Sequence, residues 1–288
     1  MAYPRTITGT GEPRLRLGIN TGNLQWLPRS SRAPTGPLPE ILAAAMRDGY
    51  EGFQGPDTEA YKAAGAAWMS YGRVDRVPEA RELALRLRDG GCAAASIFVG
   101  TSLEDEPAAM ALYEAVLRAV EETGVPLFIE THRATLTQDI WRTVQAVKRL
   151  PELRFSGDFS HWYTGLEMIH GDWQAKIDYA MPVIERVRFL QGRIGTSGQI
   201  QVDVGPYEAA LRNEHVIRFL QIWRLSIAAF RRDAKPGEHL WFIPELLGPW
   251  GYAMTWHRPD GYLEECGDRY EQASVLCRLA QEAWKTSA

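Results

Sequence analysis

Cysteine is scarce in the 288-residue chain: Cys92, Cys266 and Cys277 are the only three, and none forms a CxxC pair. An odd, scattered set builds neither a disulfide framework nor a zinc ribbon, so a reducing compartment is expected. Long apolar runs are missing too, none reaching the ~18 residues that suggest a membrane span. The opening "MAYPRTITGTGEPRLRLGIN" has no apolar segment of the signal-peptide kind. A soluble, cytoplasmic protein with no membrane partner is the expectation. Positive charge is not in excess, since the net charge is −4, and this argues against a nucleic-acid partner. There is no Walker A motif, and "GINTGN" after the first strand is not GxGxxG, so nucleotide binding loses support. No low-complexity segment, short repeat or domain-separating linker is visible, and residues 1–288 read as one domain with its core at about 15–284.

Short apolar runs alternate with amphipathic ones. "LRLGINTGN", "YEGFQGPD", "CAAASIFVG", "PLFIE", "LRFSGDFS", "VRFLQGRIG" and "HLWFIPELLG" read as seven strands in that order. Helical patterns follow them, among them "LPEILAAAMRDG", "EDEPAAMALYEAVLRAVEETG", "TQDIWRTVQAVKRL" with Thr137 as N-cap, and "DWQAKIDYAMPVIERV" despite Pro182. An eighth strand is placed in "GQIQVDVG", residues 198–205. Runs such as "ASIFV" and "LWFI" are apolar on both faces, as in a parallel sheet covered by helices. The pattern predicts an α/β protein, a (β/α)8 TIM barrel with one strand possibly degenerate. A doubly wound open sheet is the alternative. The proline-rich stretch 28–37 reads as a long βα loop that would cover the C-terminal face.

In a TIM barrel the C-terminal strand ends face the active site. Glu130 ends the fourth of the seven strands, with His132 and Arg133 just beyond. Asp158 ends the fifth, with His161 three residues on. Gln191 ends the sixth, next to Arg193. Glu245 ends the last, and Gln54 ends the second. "SIFVG" ends with nothing polar. Glu130, Asp158 and Glu245 would converge at one barrel mouth, where like charges raise one another's pKa. A divalent cation relieves that repulsion. An oxygen-rich set completed by the Gln191 amide favours Mn²⁺ or Mg²⁺, with His161 leaving zinc open. Trp26, Trp162, Tyr163, Trp250 and Tyr252 follow strand ends and are candidates for lining a pocket for a ring-shaped ligand.

The segments "FIETHR", "GDFSHW", "QGRIG" and "PELLGPW" resemble the xylose isomerase-like TIM barrel superfamily, which includes the sugar phosphate isomerase/epimerase proteins. The resemblance implies a metal-dependent isomerase or epimerase acting on a sugar or related polyhydroxy carbonyl compound through an enediolate. Glu130 and Glu245 would be the acid/base pair and also metal ligands. Asp158 and Gln191 would complete the metal site. His132, Arg133, His161, Arg193, Trp162, Gln54 and Trp250 are candidates for contacting substrate. A homo-oligomer is possible for such barrels. Where the superfamily usually has histidine, this chain has Gln191, a neutral and weaker ligand. Two alternatives stay open: a lyase or dehydratase using the same site for β-elimination on a keto sugar or keto-inositol, and a non-catalytic ligand-binding barrel that has lost its metal. The superfamily's endonuclease IV group needs histidines that Gln54 and "SIFVG" do not supply, and is rejected.

Overall fold

The computed structural model describes residues 3–56 and 58–287. In chain order its strands are β1 (Arg14–Asn20), β2 (Gly52–Gln54), β3 (Ala67–Val74), β4 (Ala94–Val99), β5 (Leu127–Glu130), β6 (Phe155–Gly157), β7 (Val187–Gly192) and β8 (His239–Pro244). All eight are parallel and hydrogen-bond in sequence order. β8 pairs back onto β1, from Arg14↔His239 to Leu17↔Phe242, and closes the barrel. The helices are α1 (Leu38–Arg47), α2 (Thr58–Ala63), α3 (Val77–Asp89), α4 (Glu106–Thr123), α5 (Ile140–Arg149), α6 (Ser160–Gly165), α7 (Trp173–Ile184), α8 (Tyr207–Ala210), α9 (Glu214–Asp233) and α10 (Arg269–Thr286). A small antiparallel hairpin, β9 (Thr255–His257) and β10 (Leu263–Glu265), lies between β8 and α10. Among the described residues no helix is long and apolar enough to cross a membrane.

The eighth strand is not where the sequence pattern placed it. Residues 198–205 form a loop. Its apolar residues pack as a loop on the core: Ile200 and Val204 are buried, and so is Gln201 between them. The polar partner Gln201 bridges Leu247, receiving its N–H at 2.8 Å and donating to its carbonyl at 2.9 Å. The missing strand is β3, between the second and third predicted ones, so the strands from "CAAASIFVG" to "VRFLQGRIG" each move up one place. β3 escapes notice because exposed and polar residues break its apolar run: Tyr71 is 49% exposed. Gly72 interrupts its apolar run because a Cβ there would lie 2.6 Å from a Leu83 methyl.

Local chemistry sets the helix ends. Asp105 caps α4 by accepting the Ala108 N–H at 2.9 Å, and Gly124 ends it at φ +71°. Asp139, not Thr137, caps α5, accepting the Arg142 N–H at 2.7 Å. Thr137 is buried instead and donates to the Glu130 carbonyl. The loop 28–37 is tied down at Asp268, which accepts from Ser31 Oγ at 2.8 Å and from Arg32 N–H at 2.7 Å.

Side chains alternate across each strand, and that period builds the barrel interior in layers. Met69, Ala94, Phe128, Phe189, Trp241 and Ile243 form one apolar plug. Gly18 gives it room, since a Cβ there would meet Ile243 Cδ1 at 2.4 Å and Met69 Cε at 2.7 Å. Two residues further along the chain stand Asn20, Ser96, Glu130, Gln191 and Glu245, with Gln54 two beyond Gly52. The pleat that buries Phe128 and Phe189 therefore carries Glu130 and Gln191 on the same side, one layer nearer the C-terminal mouth.

Candidate active site

Glu130, Asp158 and Glu245 meet at this mouth, one carboxylate oxygen of each lying within 4.8 Å of the others. Glu130 and Asp158 are buried, and the Glu245 side chain is 13% exposed. Ser96 Oγ donates to Glu130 Oε2 at 2.7 Å, leaving Glu130 Oε1 without a hydrogen-bond partner. Asp158 Oδ1 accepts from both the backbone N–H and the hydroxyl of Ser160, at 3.0 and 2.5 Å. Asn20 Nδ2 donates to Glu245 Oε1 at 3.2 Å and to Gln54 Oε1 at 3.0 Å. Gln191 is fully buried, and both atoms of its amide lack a partner among the described residues.

The positive charge among these acids is Arg193, 1% exposed. Its Nη2 pairs with Glu245 Oε2 at 2.5 Å, its Nη1 lies 3.3 Å from Asp158 Oδ2, and its Nε donates to the Glu245 carbonyl at 2.9 Å. Burial alone would pull the guanidinium down, but Asp158, Glu245 and Glu130 outweigh it and hold Arg193 above its ordinary value. One guanidinium does not neutralise three acids. Burial, reinforced by Glu245 and Asp158, pushes Glu130 well above the usual carboxylate range. Burial also pushes Glu245 up to about 7, against the lowering effect of Arg193. Two glutamates with unlike environments, Glu245 paired directly with Arg193 and Glu130 not, form the pattern expected of an acid/base pair.

His132 and His161 lie in contact with ring centroids 3.7 Å apart and their planes tilted by 44°, and His132 also packs on Phe98. Burial holds His132 down at about 4, and burial with the neighbouring His132 and Arg193 holds His161 well below its ordinary value. Both rings are therefore neutral at pH 7. His161 Nε2 is 3.5 Å from Asp158 Oδ2 and from Arg193 Nη1, while its Nδ1 has no partner. Tyr252 closes this side, its ring 4.9 Å from the Arg193 guanidinium and 5.1 Å from that of Arg133.

The other predicted contacts divide. Gln54 is buried at the end of β2 and reaches Glu245 through Asn20. Arg133 is exposed at the rim. Trp162 is not a pocket residue: it is 1% exposed, donates its indole N–H to the Thr137 carbonyl at 2.6 Å and packs edge-on against Phe159. Tyr163 is likewise core, packed between Trp173 and Phe219. Trp250 is 66% exposed and lines a separate cavity with Trp26. Sequence reasoning missed Asn20, Ser96 and Ser160. The signal for Ser96 was its place inside "AASIFV", where the pleat turns the only hydroxyl inward.

The donor set fits a divalent cation. Glu130 Oε1, Asp158 Oδ2 and Gln191 Oε1 are buried oxygens with no hydrogen-bond partner among the described residues. Ionised, three carboxylates against one guanidinium leave two negative charges, which one divalent cation cancels. The donors are hard oxygens, suited to Mg²⁺ or Mn²⁺. A second group, Glu130 with His132 and His161, also places its ligand atoms within 4.8 Å of one another and adds nitrogen.

This architecture is the fold of the xylose isomerase-like TIM barrels. Among solved structures, a xylose isomerase-like TIM barrel protein from Mycobacterium smegmatis in complex with magnesium superposes with a TM-score of 0.57 at 12% identity, covering 95% of this chain and 98% of that one. A D-allulose 3-epimerase from Methylomonas sp., in complex with D-allulose, gives 0.57 at 9% identity over 98% and 99% of the two chains. A probable 3-DHS dehydratase from Bacillus anthracis gives 0.54 at 14% identity over 92% and 98%. No family model matches the chain, and no curated protein does.

Proposed function

We propose that this protein is a metal-dependent isomerase or epimerase of a sugar or related polyhydroxy carbonyl compound. The observation that carries the reading is the convergence of three carboxylates, Glu130 and Asp158 buried and Glu245 nearly so, within 4.8 Å of one another, with Glu130 Oε1 and Asp158 Oδ2 free of hydrogen bonds among the described residues. A Mn²⁺ or Mg²⁺ ion held by Glu130, Asp158, Glu245 and the Gln191 carbonyl would neutralise the acids and polarise a substrate carbonyl. Glu245, kept nearer ionisation by Arg193, takes the proton from the carbon beside the carbonyl. Glu130, the other member of the pair, delivers a proton to the enediolate; the roles exchange in the reverse direction. His161 and His132, both neutral, offer ring nitrogens to substrate hydroxyls. Arg193 keeps Glu245 and Asp158 in place and is a positioning residue here. Arg133 at the rim is placed for a substrate oxygen or anionic group.

The fold is equally that of a dehydratase, and expulsion of a β-leaving group from the same enediolate is the second enzymatic reading. The non-catalytic reading draws on Arg193, whose pairing with Asp158 and Glu245 partly stands in for a cation. Incubation of Mn²⁺-loaded protein with ketohexoses in D₂O separates the three. Deuterium next to the carbonyl of recovered or epimerised sugar, abolished by Glu245→Gln, supports isomerase chemistry. An unsaturated product supports elimination, and no exchange with any ketose contradicts the enzymatic reading.

A further inference from the structure

At the other end of the barrel, where the strands begin, lies a cavity of about 320 Å³. Phe128 of the apolar plug reaches it, so the plug stands between this cavity and the acidic centre. Arg5, Arg154 and Arg188 line it together with Asp233 and Glu238, three guanidiniums against two carboxylates. Glu238 is taken by Arg5 at 2.7 Å, and Asp233 lies 3.5 Å from Arg188. Arg154 pairs with no acid among the described residues. Its Nη1 donates to the carbonyls of Pro151, Glu152 and Leu153 at 3.0, 2.9 and 2.9 Å, and its Nε and Nη2 have no partner there. Arg188 Nη1 is held in the same way, donating to the Glu185 and Val187 carbonyls at 2.9 and 2.8 Å. Backbone carbonyls thus fix one nitrogen of each guanidinium, and both residues line the cavity with donors to spare. Arg186 donates to the same Pro151 carbonyl as Arg154, at 3.1 Å, and adds to the positive excess.

The register of β6 and β7 brings these cations together. Phe155 pairs with Val187, but the next residue, Ser156, pairs with Phe189, so Arg188 is left over opposite β6. An extra residue of this kind bends its strand and re-aims a side chain. Arg154 directly precedes β6. Holding both costs energy, since a cation taken out of water without a counter-ion is destabilising. Burial and then Arg154 push Arg188 down to about 10, and burial with Arg186 holds Arg154 below its ordinary value. In a TIM barrel this end serves stability rather than catalysis, and an uncompensated charge there works against that unless something neutralises it. The N-terminal segment forms a further wall. Tyr3 donates to the Leu127 carbonyl, its ring stacks on Phe128 at 5.9 Å between centroids, and the Thr6 carbonyl accepts the His239 N–H at 2.9 Å.

We propose that this cavity is a second ligand site, one that binds a small anion whose phosphate or carboxylate group is gripped by Arg154 and Arg188, with the N-terminal segment at Tyr3 as its wall. Planar guanidiniums with free donors match both groups, and the anion neutralises the charge that Asp233 and Glu238 leave uncovered. The volume lies at the lower end of small-molecule sites and suits a compact ligand. This site is separate from the acidic centre and does not rest on the reaction proposed for it.

Calorimetric titration of the full chain, stripped of metal and in low salt, with inorganic phosphate, phenyl phosphate and succinate tests the proposal. At least one of the three binds with a Kd below about 1 mM. Arg154→Gln and Arg188→Gln each weaken it at least tenfold, while Arg133→Gln, at the opposite mouth, changes it less than twofold. Tighter binding of the phosphates identifies a phosphate ester, and tighter binding of succinate identifies a carboxylate. Hydrogen exchange locates the site in the unaltered chain even if both substitutions prevent folding: the bound anion slows exchange at the amides of residues 5–8 at least threefold and leaves residues 131–135 unchanged. No binding by any of the three, binding that survives loss of Arg154 or Arg188, binding lost with Arg133, or protection confined to residues 131–135 overturns it.

Discussion

Replacing Arg193 with methionine isolates the electrostatics of the barrel mouth. The side chain is buried, pairs with Glu245 at 2.5 Å and approaches Asp158 at 3.3 Å. Methionine keeps much of the apolar volume and removes the charge, leaving three acids with no cation. Breaking a buried pair from one side costs about 3–5 kcal/mol, which for a domain of this size is roughly 6–20 °C in melting temperature. The cost is expected in chelator at pH 8, where the acids are driven to ionise. At pH 5 it shrinks, because Glu130 and Glu245 take up protons there instead. The same substitution removes a positive charge that competes for the carboxylates. At ~4 Å and an effective dielectric constant of ~20 that repulsion amounts to several kcal/mol, so Mn²⁺ should bind Arg193→Met at least ~10-fold more tightly. Thermal melts at both pH values and a Mn²⁺ titration read the two effects. A loss under ~1 kcal/mol at pH 8, an equal loss at pH 5, or weaker Mn²⁺ binding would refute the reasoning.

Three further outcomes follow from the same contacts. Glu245 is raised from 4.5 to about 7, so its favourable contribution is complete below pH 4.5 and is lost as pH rises to about 7; the chelated protein should melt lower at pH 8 than at pH 5, and Mn²⁺ should raise the melting temperature more at pH 8. Ser96→Ala deletes the 2.7 Å donor to Glu130; a hydrogen bond to a carboxylate is worth about 1.5–3 kcal/mol, so the alkaline limb of the pH–activity profile, where Glu130 must still carry its proton, should move up by about one unit or more. Trp162→Phe strands the Thr137 carbonyl and should destabilise by about 1–3 kcal/mol with KM unchanged; a large rise in KM at unchanged stability would return Trp162 to the substrate pocket.

Much of the barrel was legible because its strands are buried on both faces and read as unbroken apolar runs. β3 was not, because Gly72 and the exposed Tyr71 break its pattern. Residues 198–205 imitated a strand because a loop packing on a core can also alternate. Acids at strand ends were readable, since Glu130 and Glu245 follow buried runs and have one obvious place to go. Asn20 was not, since an uncharged residue at a strand end looks like a turn signal, and Ser96 was not, since a lone hydroxyl inside an apolar run draws no notice. Trp162 misled for a related reason: it follows Asp158 closely, yet it lies on α6, which turns the indole into the core. The doubt attached to Gln191 has changed form. Its amide is buried with both ends unpartnered, a costly arrangement that a bound ligand or cation would relieve.

Calorimetric titration of chelator-stripped protein with Mn²⁺ at pH 8, run beside Asp158→Asn and Glu130→Gln, tests that centre most directly. One ion should bind per chain, with each substitution weakening it at least ~10-fold. Absence of binding, or binding indifferent to both substitutions, would contradict a cation held by Glu130, Asp158 and Glu245.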